Sequence, residues 1–295
     1  MALIVFLLAY LIRRRLDNAN HLSSDALWRL WFRWGSRASP GKEGAAGPAL
    51  IFLLLPVIMA AVIEFELSSL GFWGLLYPLQ LVVLVLMMGT PGWRSLLTDY
   101  SEAWSRGDMQ AAWHHVRDQL PASERGDALS PEAMHLSLSR ALMLAVFNRF
   151  FLVAFWFVLG GMAGAILARG LVALAEQWPQ ASARPAFVRM ARWLAWPPSR
   201  LLCLTFGLAG DLAGWLRVAR RVLSHPGLAT GEALMASANG ALTGYALDPD
   251  RFRTLHADDW LEFGGRSVEA IRDLLNRSML VWLCGLALMV ISGVI

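Results

Sequence analysis

Charge is scarce in this sequence. Only 16% of the 295 residues are charged, while 57% are hydrophobic; a soluble domain carries about 25% charged residues. So many apolar residues cannot all be buried in one water-soluble core of this size, and they exclude a disordered chain. Cysteine is nearly absent: Cys203 and Cys284 both lie in apolar segments. Neither has a second Cys or a His at metal-ligand spacing, which argues against a disulfide scaffold and a zinc site. No metal and no cofactor is expected. Lysine is rarer still. Lys42 is the sole lysine, so the +4 net charge is carried by arginines. They are spread through loops rather than gathered on a stripe, which points away from nucleic acid. Arginine suits membrane-flanking anchors and the recognition of phosphate or carboxylate. Nucleotide P-loop, Rossmann, His-Glu-x-x-His and Gly-x-Ser-x-Gly patterns are all missing. His114 and His115 are neighbours, so on a helix they point about 100° apart and chelate poorly. No catalytic residue emerges.

What is there is apolar and helical in pattern. The expectation is an all-α, polytopic helical membrane protein with four to six membrane segments and cytoplasmic helical regions. Residues 1–48 read as an N-terminal anchor followed by an interfacial amphipathic helix. Met1 to Ile12 is apolar and ends at Arg13-Arg14-Arg15; a signal peptide would carry its charge first. Ser23-Ser24-Asp25 offers an N-cap to the stretch bearing Trp28, Trp31 and Trp34, a helix with Trp at headgroup depth. Residues 49–90 read as a transmembrane hairpin, with Glu64 and Glu66 as solvated surface at its far end. Residues 91–148 form a first cytoplasmic helical region. Its first pair of helices is separated at Arg106-Gly107-Asp108, a loop follows at Pro121 to Asp127, and Ser130-Pro131-Glu132 starts the next helix.

Residues 149–216 are expected to hold a membrane segment broken by glycine, an Arg/Trp/Pro-rich loop and a core helix. The glycines are Gly160-Gly161, Gly164 and Gly170; they permit close helix approach or a broken helix. Arg169 in this stretch is costly in lipid, so it should face protein or water. Residues 217–278 form a second cytoplasmic helical region. Asp248-Pro249 starts a helix there, and Gly264-Gly265 separates the last pair. Residues 279–295 make a C-terminal transmembrane helix. The positive-inside rule places residues 13–48 in the cytoplasm. A single crossing at 150–174 would put Arg184, Arg189, Arg192 and Arg200 on the opposite side. Either that segment re-enters, or these arginines bind something that overrides the rule. Arg189, Trp193, Trp196, Pro197, Pro198 and Arg200 pair guanidinium groups with aromatic planes, a set that suits either an anion clamp or membrane anchoring.

The order Tyr100, Ala103, Arg106-Gly107-Asp108 and Ala111-Ala112 continues with Asn148-Arg149-Phe150, Phe155-Trp156 and Gly160-Gly161. It ends with Trp196-Pro197-Pro198-Ser199-Arg200-Leu201 and Gly207-Leu208-Ala209-Gly210-Asp211. This order, over essentially the whole chain, resembles the AmpE family of bacterial inner-membrane proteins. That resemblance implies a multi-pass protein linked to β-lactamase induction and cell-wall muropeptide signalling. The family's usual operon partner, AmpD, is an anhydro-muropeptide amidase.

From about residue 96 onward the chain more distantly resembles the CobD/CbiB membrane enzymes of cobalamin biosynthesis, which form an amide. The matching residues are Gly160 to Ala165 with Arg169, Arg189, Pro198-Ser199-Arg200-Leu201, His225-Pro226, Gly231-Glu232-Ala233 and Ala238 to Gly244. The acids of that pattern are missing. Asn148 is followed by Arg149, and Arg189 by Met190, Ala191 and Arg192. Nucleotide-driven amide synthesis needs carboxylates to hold Mg²⁺, so a non-enzymatic role is expected. The reading is a regulatory or sensory protein. It would bind an anionic small molecule, a muropeptide or nucleotide, through Arg169, Arg189, Arg200, His225 and Glu232. A protein partner in cell-wall signalling and an oligomer are compatible with it. The alternatives are an amide-forming enzyme acting on another substrate, and a transporter suggested by the Gly160-Gly161 break.

Overall fold

The computed structural model describes residues 2–18, 25–37, 46–89, 91–120, 130–225 and 227–293. The Ser23-Ser24 cap and the 121–127 loop lie outside them, as do the side chains of Asp25 and Lys42. Among the described residues the chain is helical and contains no strand. The α-helices are α1 (Ala2–Asn18), α2 (Asp25–Arg37), α3 (Ala46–Ser69), α4 (Trp73–Met87), α5 (Arg94–Ser105), α6 (Met109–Val116), α7 (Pro131–Val146), α8 (Leu152–Gln177), α9 (Arg184–Ala209), α10 (Leu212–Ser224), α11 (Thr230–Ala241), α12 (Pro249–Leu255) and α13 (Trp260–Ile291). They divide into two compact units. One comprises residues 1–90, 147–198 and 286–295; the other, residues 91–146 and 199–285.

In the first unit α8 packs against α2, α3 and α4, and α1 packs on α4. Its core joins Trp28 and Phe32 of α2, Ala49, Leu53 and Ala60 of α3, and Met162, Ile166 and Leu174 of α8. Gly170 lets Leu53 and Trp28 lie directly on the α8 backbone. Trp31 donates from its indole nitrogen to the Phe52 carbonyl at 2.9 Å, fixing α2 on α3. The opposite side of α3 is bare. Ile51, Leu54, Leu55, Ile58, Val62 and Phe65 are exposed and recur every three or four residues. A soluble protein rarely leaves so continuous an apolar stripe in water; lipid is the solvent it suits. The chain is therefore expected to stay with membranes through an alkaline carbonate wash, and release into the supernatant would contradict this.

Among the described residues three helical stretches are long and apolar enough to cross a membrane: Ala46–Ser69, Pro131–Gln177 and Ala257–Ile291. That is fewer than the four to six segments expected. The expected anchor, α1, has 17 residues, of which the last six, Arg13 to Asn18, are mostly charged or polar; α4 is apolar but has only 15 residues. Each falls short of the roughly 20 residues that a bilayer core demands.

The second unit has a more polar construction. Aspartates cap its helices: Asp108 accepts from Ala111 N, Asp211 from Ala213 N, and Asp248 from Arg251 N. Ser130 accepts from Ala133 N at the start of α7. α10 lies close on α11, where Gly214 meets Gly240 backbone to backbone. Trp215 donates to Ser237 Oγ at 2.7 Å, and Ser237 donates to the Cys203 carbonyl at 3.1 Å.

Two sequence expectations fail here. Gly264-Gly265 does not separate a pair of helices, because α13 runs through both glycines. Gly264 is instead the floor on which the Trp104 ring lies. The Arg/Trp/Pro-rich stretch at 184–200 is not a loop either. α9 is helical across Pro197 and Pro198, although each proline removes a donor and crowds the preceding turn. The boundary between the two units follows directly after Pro198.

Candidate functional site

The expected anion-binding residues fall in both units. Arg169 and Arg189 belong to the first; Arg200, His225 and Glu232 belong to the second. Arg169 is fully buried in α8, and Arg189 is exposed on α9.

The three residues of the second unit surround one short segment. α10 ends at Ser224, and α11 begins at Thr230. Arg200, only 7% exposed, reaches this connection from α9. Its Nη2 donates to the carbonyls of His225 at 3.1 Å and Leu228 at 3.3 Å. Arg200 thus holds the connection in place through its backbone. Its Nε and Nη1 have no hydrogen-bond partner among the described residues. Cys203 lies one turn further along α9. Burial pushes its thiol up to about 11, with Ser237 and the Arg200 charge partly opposing the shift. It is therefore an inert thiol rather than a nucleophile.

The pinned connection borders a cleft of about 450 Å³ lined by Arg221, His225, Gly227, Leu228 and Glu232. Arg221 lies in the last turn of α10 and is exposed. No side chain caps the start of α11, where Ala229 is the N-cap residue. Among the described residues its first N–H groups receive no cap from a side-chain carboxylate or hydroxyl. A helix start with open N–H groups attracts anions, and Arg221 and His225 add donors. Glu232, in the first turn, adds an acceptor for a ligand's own N–H or ammonium group. The cleft suits a ligand with an anionic end and a hydrogen-bond donor. Sequence patterns single out His225 and Glu232 but not Arg221, which sits in an amphipathic run of arginines resembling any solvated helix face.

A larger cleft of about 770 Å³ lies in the first unit, lined by Trp28, Trp31, Trp34, Arg33, Pro56 and Ile166 among others. Its walls are apolar, and α2 is the helix expected at the lipid headgroups, so acyl chains are its natural solvent.

Two polar constellations escape the sequence reading. In the first unit, Gly160 (φ −135°, ψ 21°) and Gly161 (φ 57°, ψ −146°) leave helical geometry and kink α8. Glu64 of α3 closes that kink. Its Oε2 accepts from Met162 N at 2.9 Å, and its Oε1 accepts from Gln80 Nε2 of α4 at 2.8 Å. Read as solvated surface, Glu64 is instead half-buried and joins three helices. In the second unit, the Tyr100 hydroxyl lies 2.9 Å from His135 Nδ1, and His135 Nε2 lies 2.7 Å from Ser267 Oγ. Burial holds the Tyr100 phenol well above its usual range, so it stays protonated. Ser139 Oγ lies 3.3 Å from the same Nε2, so a ring with one N–H joins the phenol on one side to two hydroxyls on the other. Among the described residues no group of His, Cys, Asp and Glu could hold a metal ion.

Compared with protein-family models, with curated proteins and with solved structures, the chain matches none.

Proposed function

We propose that this chain is a multi-pass regulatory protein of the bacterial inner membrane that senses an anionic metabolite in the Arg221–His225–Glu232 cleft. The observation that carries the reading is the cleft itself: an open helix start, flanked by Arg221 and His225, on a connection pinned from behind by Arg200. The similarity of its residue order to the AmpE family supports β-lactamase induction as the output and a muropeptide or nucleotide as the ligand. A muropeptide offers carboxylates to Arg221 and amide donors to Glu232. In this reading α1 and α4 join the three long apolar helices as shorter membrane elements, and the second unit's polar helices face the cytoplasm. The role is sensing rather than catalysis, because the carboxylates that nucleotide-driven amide formation requires are missing from the corresponding positions.

Native mass spectrometry of the protein extracted from its own membranes in mild detergent tests this. A retained anionic adduct is expected, and its mass names the ligand class. Arg221→Ala should weaken binding by about 10- to 100-fold, the worth of one or two charge-assisted hydrogen bonds. Arg200→Ala should weaken it by releasing the 225–228 connection, with faster proteolysis there as its separate signature. Arg189→Ala, outside the cleft, should leave affinity unchanged. A bare polypeptide from wild-type membranes, or an adduct indifferent to Arg221, would refute the cleft as the sensing site.

A further inference from the structure

We propose that Glu64 and Gln80 form a binding site for a small monovalent cation at the kink of α8. The inference does not rest on the anion cleft, which lies in the other unit.

Every residue of α3 before Glu64 is uncharged, so this carboxylate sits at the end of an otherwise neutral, apolar helix. Its two partners, Gln80 Nε2 and Met162 N, are both neutral donors. Among the described residues no arginine, lysine or histidine pairs with it. The start of the helix beyond the kink contributes only a fraction of a positive charge. A carboxylate set among apolar helices without a full counter-charge is costly.

A second group in the same place points the same way. Gln80 is only 9% exposed, and its Oε1 has no hydrogen-bond partner among the described residues. The amide whose nitrogen serves Glu64 therefore keeps a buried oxygen with nothing to accept from. Buried polar atoms in native structures are nearly always satisfied. A hard cation answers both deficits at once, because it neutralises the carboxylate and takes the amide oxygen as a ligand. In a regular helix Met162 N would serve the carbonyl of Val158, but here it serves Glu64.

The neighbouring ionisable groups do not supply the missing charge. Glu66 on α3 is exposed and of the same sign, and Tyr77 is the only ionisable residue of α4. On α8 the ionisable residues are Arg169 and Glu176, and Arg169 follows Met162 by about two turns. A single charge and few ligands suit a monovalent ion better than a divalent one.

The test measures thermal unfolding of the detergent-purified protein as sodium chloride replaces choline chloride at constant ionic strength and pH. Choline is too large for the site. The expected result is a midpoint that rises saturably with sodium, by roughly 3–6 °C at tenfold Kd. The rise should vanish in Glu64→Gln, which keeps an oxygen for Met162 N but loses the charge. Should that variant fail to fold, radioactive sodium binding to the wild-type protein decides the matter. Stoichiometric retention displaced by lithium but not by choline is expected. A midpoint equal in sodium and choline would reduce Glu64 to a helix cap and overturn the proposal. A midpoint that follows pH but ignores sodium would assign the site to a proton and overturn it equally.

Discussion

Gly161→Ala is expected to lower the thermal unfolding midpoint by roughly 10 °C, while Gly160→Ala leaves it nearly unchanged. The two glycines are adjacent in sequence and both leave helical geometry, yet they meet different constraints. Gly161 has φ 57° and ψ −146°, a region open in practice to glycine alone, where a side chain costs about 1–3 kcal/mol. A Cβ there would also run into the Glu64 carboxylate. Displacing Glu64 forfeits its bonds to Gln80 and Met162, each worth about 1 kcal/mol or more. Together these reach about 3–5 kcal/mol, and each kcal/mol shifts the midpoint by roughly 2–4 °C in a chain approaching this size. Gly160 has φ −135°, and a Cβ on it would meet nothing within 4 Å. Gly164→Ala should fall near Gly161→Ala, because its Cβ would strike the Trp156 carbonyl, and backbone cannot swing aside as a side chain does. Unfolding followed by circular dichroism in detergent checks all three. Equal midpoints for Gly160→Ala and Gly161→Ala would show that the kink is not held by Glu64.

This contrast also explains which features were readable in the sequence. Helix starts were readable at Ser130 and Asp248, because a cap is made between residues three apart, and Arg106-Gly107-Asp108 was readable as a break between helices. Breaker residues were less reliable, because their meaning depends on what packs against them. Gly160-Gly161 does interrupt α8, whereas Gly264-Gly265 leaves α13 intact and serves the Trp104 ring. Both are glycine pairs in helical stretches; the difference lies in Glu64 and Trp104, distant in sequence from the glycines they touch. Apolar content identified a membrane-suited helical chain but overstated the count, since α1 and α4 are apolar without being long. The anion site was only partly readable. His225 and Glu232 line one cleft, but Arg200 spends its Nη2 on backbone carbonyls behind it. Glu64 was unreadable as a site, because both its partners come from other helices.

The second large effect is expected at His135. Replacing it with alanine should destabilise the second unit by about 3–5 kcal/mol, more than the loss of an exposed histidine would cost. The imidazole is fully buried between the rings of Tyr100, Trp104 and Phe263. Its removal leaves a cavity, and it strands the Tyr100 hydroxyl, Ser139 Oγ and Ser267 Oγ without their partner. Each stranded group costs about 1–3 kcal/mol, and the cavity adds to this. Tyr100→Phe alone should cost less, because it leaves one ring nitrogen unserved and no void. The combination Tyr100→Phe, His135→Leu, Ser139→Ala and Ser267→Ala should recover most of the stability lost in His135→Ala, since it removes the whole polar chain and nearly keeps its volume. Recovery would mark the chain as a packing device of the second unit. Failure to recover, with the combined variant below His135→Ala, would mean that the hydrogen bonds specify how α5, α7 and α13 meet, which apolar side chains of similar size do not replace.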